Sequence, residues 1–418
     1  MRTRALIPAL LLIAAACSLQ QPRPTIVVGA VYPLTGPQAD GGKQELDGLR
    51  TALDLAKRHH VAHADQVRLE VVDTPTAEQA TAAVDRLIDV FHAPVVAGTY
   101  GSTIAVPAAA HADTRHELYW ETGAVADEEV LNRSWVFRTV ATGSTLGRTA
   151  VDFTARELLP RDGHTPESAR AVIVQVDDVY GRSVGDGEAG EAAALGFTDV
   201  RRLTYDARGL DPTAFAQQIA DLHPDYLWDV SYVDDGIAIW QALKRAGVQI
   251  RAAVGTSSAF CTPEFGRRLG RIAAGVFAAD KPSAAVPEKA LSPVASALLT
   301  EARARYEQID GGDMEIPGMA GFVGGWALFH DALPAVKGAV TAAALRTAAQ
   351  KLDVPSGAAI NGGGIRFAAP GQPDAGQNRL AASVVGQWQP GPAGGPAVVM
   401  RWLYPAPFAT GAIDLDGS

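Results

Sequence analysis

Cysteine is nearly missing, with two residues in a chain of 418. Two thiols cannot build a disulfide framework, and alone they cannot hold a structural zinc ion. Lys and Arg form no basic block, and the formal net charge is −10. That argues against nucleic acid as the main partner, because neutralising phosphates needs clustered cations. Past the first residues no apolar run reaches the roughly 18 residues that a membrane-spanning helix requires. What remains is 47% hydrophobic and 20% charged, an ordinary balance for an α/β protein rather than a disordered or fibrous one. At roughly 150 residues per domain the length predicts two or three domains, each with its own core.

The first sixteen residues read as an address rather than as fold. Arg2 and Arg4 supply a positive start, Ala5 to Ile13 an apolar stretch, and Ala14-Ala15-Ala16 small residues before Cys17. The stretch is too short to stay in a bilayer as a helix. It resembles a bacterial lipoprotein signal, and that resemblance implies lipidation of Cys17 as the mature N-terminus. Ala14 departs from the pattern, which more often has Leu there. The expected organisation is a signal over 1–17, a polar linker over 18–24, and an exported protein tethered by its lipid. Cys261 is then the one thiol left. It could be reactive or pair between chains, but a small, partly buried residue is the simpler reading.

From Thr25 onward short apolar runs alternate with alanine-rich amphipathic stretches. The runs are Thr25–Ala30, Val67–Val72, Pro94–Gly98, Ala171–Val176, Tyr226–Val230 and Ala252–Gly255; Glu45–Lys57, Thr76–Phe91 and Thr213–Leu222 lie between them. Continuous β-branched runs followed by helices predict parallel strands buried on both faces, hence an α/β class with helices covering each sheet. The pattern starts twice, at Ile26–Tyr32 and at Val172–Val176, which predicts two doubly wound lobes. Chain crossings are expected near Arg138–Ser144 and Phe277–Pro287. Three helical stretches then follow, and Ile365–Phe367, Ala381–Gln387 and Val398–Trp402 alternate like antiparallel strands. Lobe 1 is thus expected to comprise 25–140 and 278–354, and lobe 2 to comprise 141–277 and 355–418.

Several motifs suggest chemistry. Gly181-Arg182-Ser183-Val184-Gly185 has the spacing of a nucleophile elbow, with His223 and His330 formally available as bases. Asp177–Tyr180 separates strand from serine, however, and spoils the tight turn, so Ser183 reads better as part of a first helical turn. Gly185 to Gly190 fits G-x-G-x-x-G, but it begins nine residues past the strand, and Asp186 and Glu188 would repel a pyrophosphate. His59, His60, His63 and Asp65 could hold a metal, although histidines at a helix end more often decorate a solvated turn. No metal, no cofactor and no catalytic residue is expected. Gly98-Thr99-Tyr100-Gly101-Ser102-Thr103 says more, because it follows a strand and opens a helix. Free amides and two hydroxyls there suit a carboxylate; alternatively Ser102 simply caps its helix.

With those residues noted, Val28 to Pro37 followed by Leu46-Asp47-Gly48 resembles the opening of the type I periplasmic binding proteins. The nearest branch captures branched-chain amino acids, amides and related molecules for ABC importers. Matching pieces follow in order: Gly98–Thr103, Trp135–Arg138, Asp178 with Tyr180-Gly181, Ala246–Val248, Gly275–Phe277, and Asn361–Phe367 before Gln387-Trp388. The resemblance implies two Rossmann-like lobes joined by a three-crossover hinge and closing over a solute. It implies no enzyme activity, a monomer, and an ABC permease as partner. Carried over by position, Ser102 and Thr103 match the hydroxyls that receive a ligand carboxylate, and Ala124, in the stretch Glu121 to Val125 with Thr122, matches a ligand-facing carbonyl. Tyr180 and Tyr232 match aromatic walls of the second lobe.

The departures bear on the ligand. Val125 stands where amino-acid binders have Thr, and Gly255-Thr256-Ser257-Ser258 lacks the usual carboxylate. A buried ammonium without an anion is expensive, so the amine partner is missing unless Asp234, Asp235 or Glu121 replaces it. Gly41 stands where an aromatic often closes the wall, which predicts extra room. Tyr100, Trp120, Tyr180 and Tyr232 lie near predicted strand ends, although core packing is the simpler reading for Trp120. The expected solute is a carboxylate-bearing or neutral, partly apolar molecule, aromatic ones included, with Ser102, Thr103, Tyr100, Thr122, Ala124, Tyr180, Tyr232, Asp235 and Ser257 as its site. A ligand-sensing subunit of a membrane receptor, or an accessory binder of an exported oxidative pathway, stays open as an alternative; a serine hydrolase using Ser183 is a weaker one.

Overall fold

The computed structural model describes residues 25–415; the signal, Cys17 and the linker lie outside them. The first lobe runs β1 (Ile26–Tyr32), α1 (Ala39–Arg58), β2 (Val67–Asp73), α2 (Ala77–Asp85), β3 (Val95–Ala97), α3 (Ser102–Thr114), β4 (Leu118–Glu121) and β5 (Val136–Arg138). The chain then crosses into α4 (Gly143–Phe153), α5 (Leu159–Asp162), β6 (Arg170–Val176), α6 (Val179–Leu195), β7 (Asp199–Tyr205) and α7 (Pro212–Asp221). β8 (Tyr226–Val230), α8 (Val233–Arg245), β9 (Ala252–Thr256), α9 (Pro263–Leu269) and β10 (Phe277–Asp280) complete the parallel part of the second lobe. The chain returns through α10 (Pro293–Asp310), α11 (Ile316–Trp326) and α12 (Ala342–Ala349), and ends in the hairpin β11 (Val384–Pro390) and β12 (Val398–Tyr404).

Two sheets result. The first is wholly parallel, in the order β2-β1-β3-β4-β5. The second has the order β12-β11-β10-β9-β8-β6-β7, with the hairpin added antiparallel to β10. Every residue of β1 and of β8 is buried, as strands covered on both faces must be. Five helix starts carry side-chain caps: Thr142 on α4, Asp178 on α6, Asp211 on α7, Ser292 on α10 and Thr341 on α12. α1 and α11 approach so closely that a Cβ at Gly321 would lie 1.9 Å from the Glu45 carbonyl oxygen.

The lobe boundaries shift from those expected. Residues 278–280 pair in the second sheet as part of β10, so the second crossing begins after Asp280. Ile360, Ile365 and Phe367 join the core of the first lobe, so the third crossing falls between there and β11. Ile365–Phe367 forms isolated bridges rather than a strand. The first and third crossings are stitched together. Arg138 Nε donates to Gln377 Oε1 (2.7 Å), Gln377 Nε2 to the Val140 carbonyl (2.8 Å), and Asn378 Nδ2 to the carbonyls of Thr139 and Gly364 (2.8 Å each). Among the described residues no helix is long and apolar enough to cross a membrane.

Candidate functional site

Ligands of open α/β sheets bind beyond the carboxyl ends of the strands, and here those ends face each other across the lobes. On the first lobe, β3 leads into α3. Gly101 is the N-cap residue of α3 and supplies no side-chain cap. Ser102 is therefore the first helical residue, not the cap. Its Oγ accepts the amides of Val125 (3.2 Å) and Ala126 (3.1 Å). With both acceptor positions engaged, the hydroxyl has only its proton to offer, beside the unpaired first amides of the helix. That is a donor set for an anion. Thr103 follows, half-buried.

The turn after β4 is shaped by Glu121. One carboxylate oxygen accepts the amides of Thr122 (2.8 Å), Gly123 (2.6 Å) and Ala124 (2.8 Å), and the other accepts Thr99 N–H (2.8 Å). One buried carboxylate thus gathers both loops that flank Ser102. Burial and the neighbouring Glu129 nonetheless hold its proton affinity well above the usual carboxylate range. Ala124 sits in this turn. The Thr122 side chain does not face a solute: its hydroxyl donates to Glu45 Oε1 (2.6 Å) and contacts the Tyr32 hydroxyl (2.7 Å), wholly inside lobe 1.

The second lobe contributes Tyr180, whose hydroxyl donates to the Thr256 carbonyl (2.7 Å), and Tyr232, whose hydroxyl donates to Asp178 (2.6 Å). Their rings lie 5.5 Å apart. Ser257 is buried with φ +54°, turning the chain at the end of β9 so that Ser258 lies within reach of the hydroxyls of both Tyr180 and Tyr100. Tyr100 therefore meets the second lobe from the first. Asp235 accepts the Tyr205 hydroxyl (3.3 Å) in the first turn of α8, whose N-cap residue is Tyr232.

One expectation changes, and two readings that stood open resolve. Gly41 leaves no extra room, because the Tyr100 ring fills the space where its Cβ would stand, with atoms 2.3 to 2.6 Å away. Trp120 is core, fully buried, with its indole N–H on the Gly324 carbonyl (2.8 Å) and its ring against Phe137 and Phe367. None of the three carboxylates named as substitutes for an ammonium partner is free. Glu121 holds four amides, Asp235 takes Tyr205, and Asp234 pairs with Arg268.

Sequence reasoning missed Asp280 and Lys281. Both are buried at the end of β10; Lys281 Nζ lies 3.5 Å from Asp280 and donates to the Gly123 carbonyl across the lobes (3.1 Å). Asp280 also raises the proton affinities of Tyr100, Tyr180 and Cys261, so it faces the same space. An acid–base pair closing a buried strand was the available signal. One cavity of about 600 Å³ is lined by Cys261, Trp388 and Arg303, and another of about 620 Å³ by Trp326 and Val294.

The other motifs resolve structurally. Ser183 lies inside α6, and its Oγ accepts the Asp127 amide (2.9 Å), joining the lobes. Gly187 lets α4 approach, since a Cβ there would lie 2.3 Å from the Ser144 carbonyl oxygen; the glycines are helical and form no phosphate turn. His59 contacts Glu301 (2.9 Å) and the edge of Trp326. Among the described residues no group of three or more His, Cys, Asp or Glu could hold a metal. Cys261 is buried and, among the described residues, is a free thiol.

Comparison with known proteins agrees with this architecture. A family model described as "Periplasmic binding protein" matches residues 25–384. A Leu/Ile/Val-binding protein homolog 8 from Brucella melitensis biotype 1 is 28% identical over 368 residues, covering 87% of this chain and 88% of its own. The crystal structure of a leucine-binding protein from Thermotoga maritima superposes with TM-score 0.73 at 18% identity, over 90% of this chain and 98% of that one. A solute-binding protein of an ABC transporter from Rhodopseudomonas palustris BisB5, in complex with 3,4-dihydroxybenzoic acid, gives 0.71 at 18% identity, over 90% and 96%.

Proposed function

Because the chain belongs to the periplasmic binding protein family, we propose that it captures a small carboxylate outside the cytoplasm and delivers it to an ABC importer, anchored meanwhile through Cys17. The observation that carries this reading is the state of Ser102: a buried hydroxyl with both acceptor positions filled by amides, free only to donate. A carboxylate there accepts that proton and the first amides of α3. Tyr100, Tyr180 and Tyr232 close over its apolar part, as rigid surfaces with polar tips. The solute bridges the lobes and shifts their equilibrium toward the closed form, which the permease reads.

The solute lacks an α-amino group in this reading. An ammonium in the cleft needs an unpaired carboxylate, and Glu121, Asp234 and Asp235 are engaged while Asp280 is paired with Lys281. Planar aromatic acids fit the tyrosine walls, and the Rhodopseudomonas neighbour with its dihydroxybenzoate supports that class. The relatives named for leucine, isoleucine and valine favour amino acids instead. A thermal-shift panel of matched acids with and without the α-amino group decides between them. The protein is first unfolded and refolded to strip any carried solute. A ligand at 100 times its Kd adds about 2.7 kcal/mol and raises Tm by a few degrees. The expected hits are amine-free acids, and Ser102→Ala weakens them about tenfold or more, the loss of one charge-assisted hydrogen bond. Hits confined to amino acids would defeat the reading.

A further inference from the structure

The start of α1 and the turn between β3 and α3 interlock through two glycines. The Tyr100 ring lies on Gly41, and reciprocally the Gln38 carboxamide oxygen stands 1.7 Å from where a Cβ on Gly101 would be. Gln38 is the N-cap residue of α1, and its side chain makes no cap hydrogen bond. Its carboxamide is instead laid against the residue immediately before Ser102.

That oxygen is shielded from water, and among the described residues no donor reaches it. Thr99 Oγ1, on the other side of Tyr100 and Gly101, is also buried without a partner. Buried polar atoms are nearly always hydrogen-bonded, and an exception asks for an explanation. Here two exceptions bracket the segment that carries the anion-binding hydroxyl. Gly101 as a glycine is what allows the first of them, since any side chain there would expel the carboxamide.

We infer that Gln38 is a specificity-determining residue, whose carboxamide oxygen accepts a hydrogen bond from a hydroxyl or N–H donor on the solute held at Ser102. The inference rests on the reading that Ser102 anchors a carboxylate, and it narrows that reading to acids bearing a second, donating polar group. A hydroxylated ring acid satisfies both ends. The same acid without its hydroxyl leaves Gln38 unpaired, and a site built to hydrogen-bond a substrate hydroxyl rejects the analogue lacking it.

The test compares benzoate with its 2-, 3- and 4-hydroxy isomers by isothermal titration, in the full mature protein and in Gln38→Met. Expected is at least one hydroxy isomer that binds about tenfold or more tightly than benzoate. Gln38→Met then removes that preference while leaving benzoate within about threefold. Gln38→Asn, which keeps the amide but withdraws it by one methylene, serves as a second variant should Gln38→Met fail to fold. A preference that survives both variants overturns the inference. So does an equal loss for benzoate and every isomer, which would make Gln38 a carboxylate contact. With Ser102→Ala titrated alongside, binding that falls in that variant but ignores the ring hydroxyl overturns the inference alone; no binding by any of the four acids also overturns the inference, and the reading beneath it falls only if the solutes that do bind are amino acids.

Discussion

At the residue scale, the site depends on which side chains are already occupied. The positions of Ser102, Tyr180 and Tyr232 beside buried strand ends were legible in the sequence, because topology leaves little choice there; that they bind a solute is the proposal made above. Trp120 stood open between core and cleft: it is near a strand end, its side chain points into the lobe, and alternation along a four-residue strand does not decide between the two. Gly41 was read as empty space, and no local pattern shows that a residue 59 positions later in the chain fills it. The close approach makes a prediction. Gly41→Val drives the side chain into the Tyr100 ring and displaces it, so solute affinity falls about tenfold or more at a cost of roughly 1–3 kcal/mol in stability, measured by titration and urea unfolding. Retained affinity in Gly41→Val would mean that Tyr100 does not form a wall of the site.

At the element scale, the strands and helices themselves followed from periodicity, while their order in each sheet and the turns that shape the site did not. The acid at the end of β4 was read as a candidate ligand group, yet it organises backbone. Glu121→Ala strips four amides of their acceptor and is expected to cost about 3 kcal/mol or more, with solute affinity falling although Glu121 touches no solute. β8 makes a second prediction. Burial pushes the Asp229 carboxyl up to about 7, with Ser231 partly offsetting it. In the unfolded chain an aspartate titrates near ~3.9. The folded state therefore keeps its proton longer, and this contribution is intact below about pH 4, shrinks as pH rises, and is gone above about 7. Asp229→Asn should flatten that decline, so its Tm relative to the parent is higher at pH 8 than at pH 5. An equal difference at both pH values would contradict the assignment.

At the scale of the whole molecule, two sheets with facing strand ends and a three-strand hinge form a device for closing on a small molecule. The duplication was visible because both lobes begin with the same strand-turn-helix pattern. Their boundaries were less so: β10 belongs to the second sheet, while the segment through Phe367 packs on the first, and only tertiary contacts decide this. The hinge itself is polar and tightly bonded, with Gln377 and Asn378 holding residues 138–140. On the proposed function, closure would pivot on this hinge and change the contacts between lobes: Lys281 to Gly123, Asp127 to Ser183, and Tyr100 beside Ser258.

The most direct measurement is isothermal titration of the stripped, refolded protein with leucine and with benzoate and its hydroxylated forms, run in parallel on the parent and on Ser102→Ala. The account predicts heat from one or more aromatic acids, saturating at one per chain and weakened about tenfold or more by Ser102→Ala, with none from leucine. Tight leucine binding without any response to the aromatic acids would contradict it.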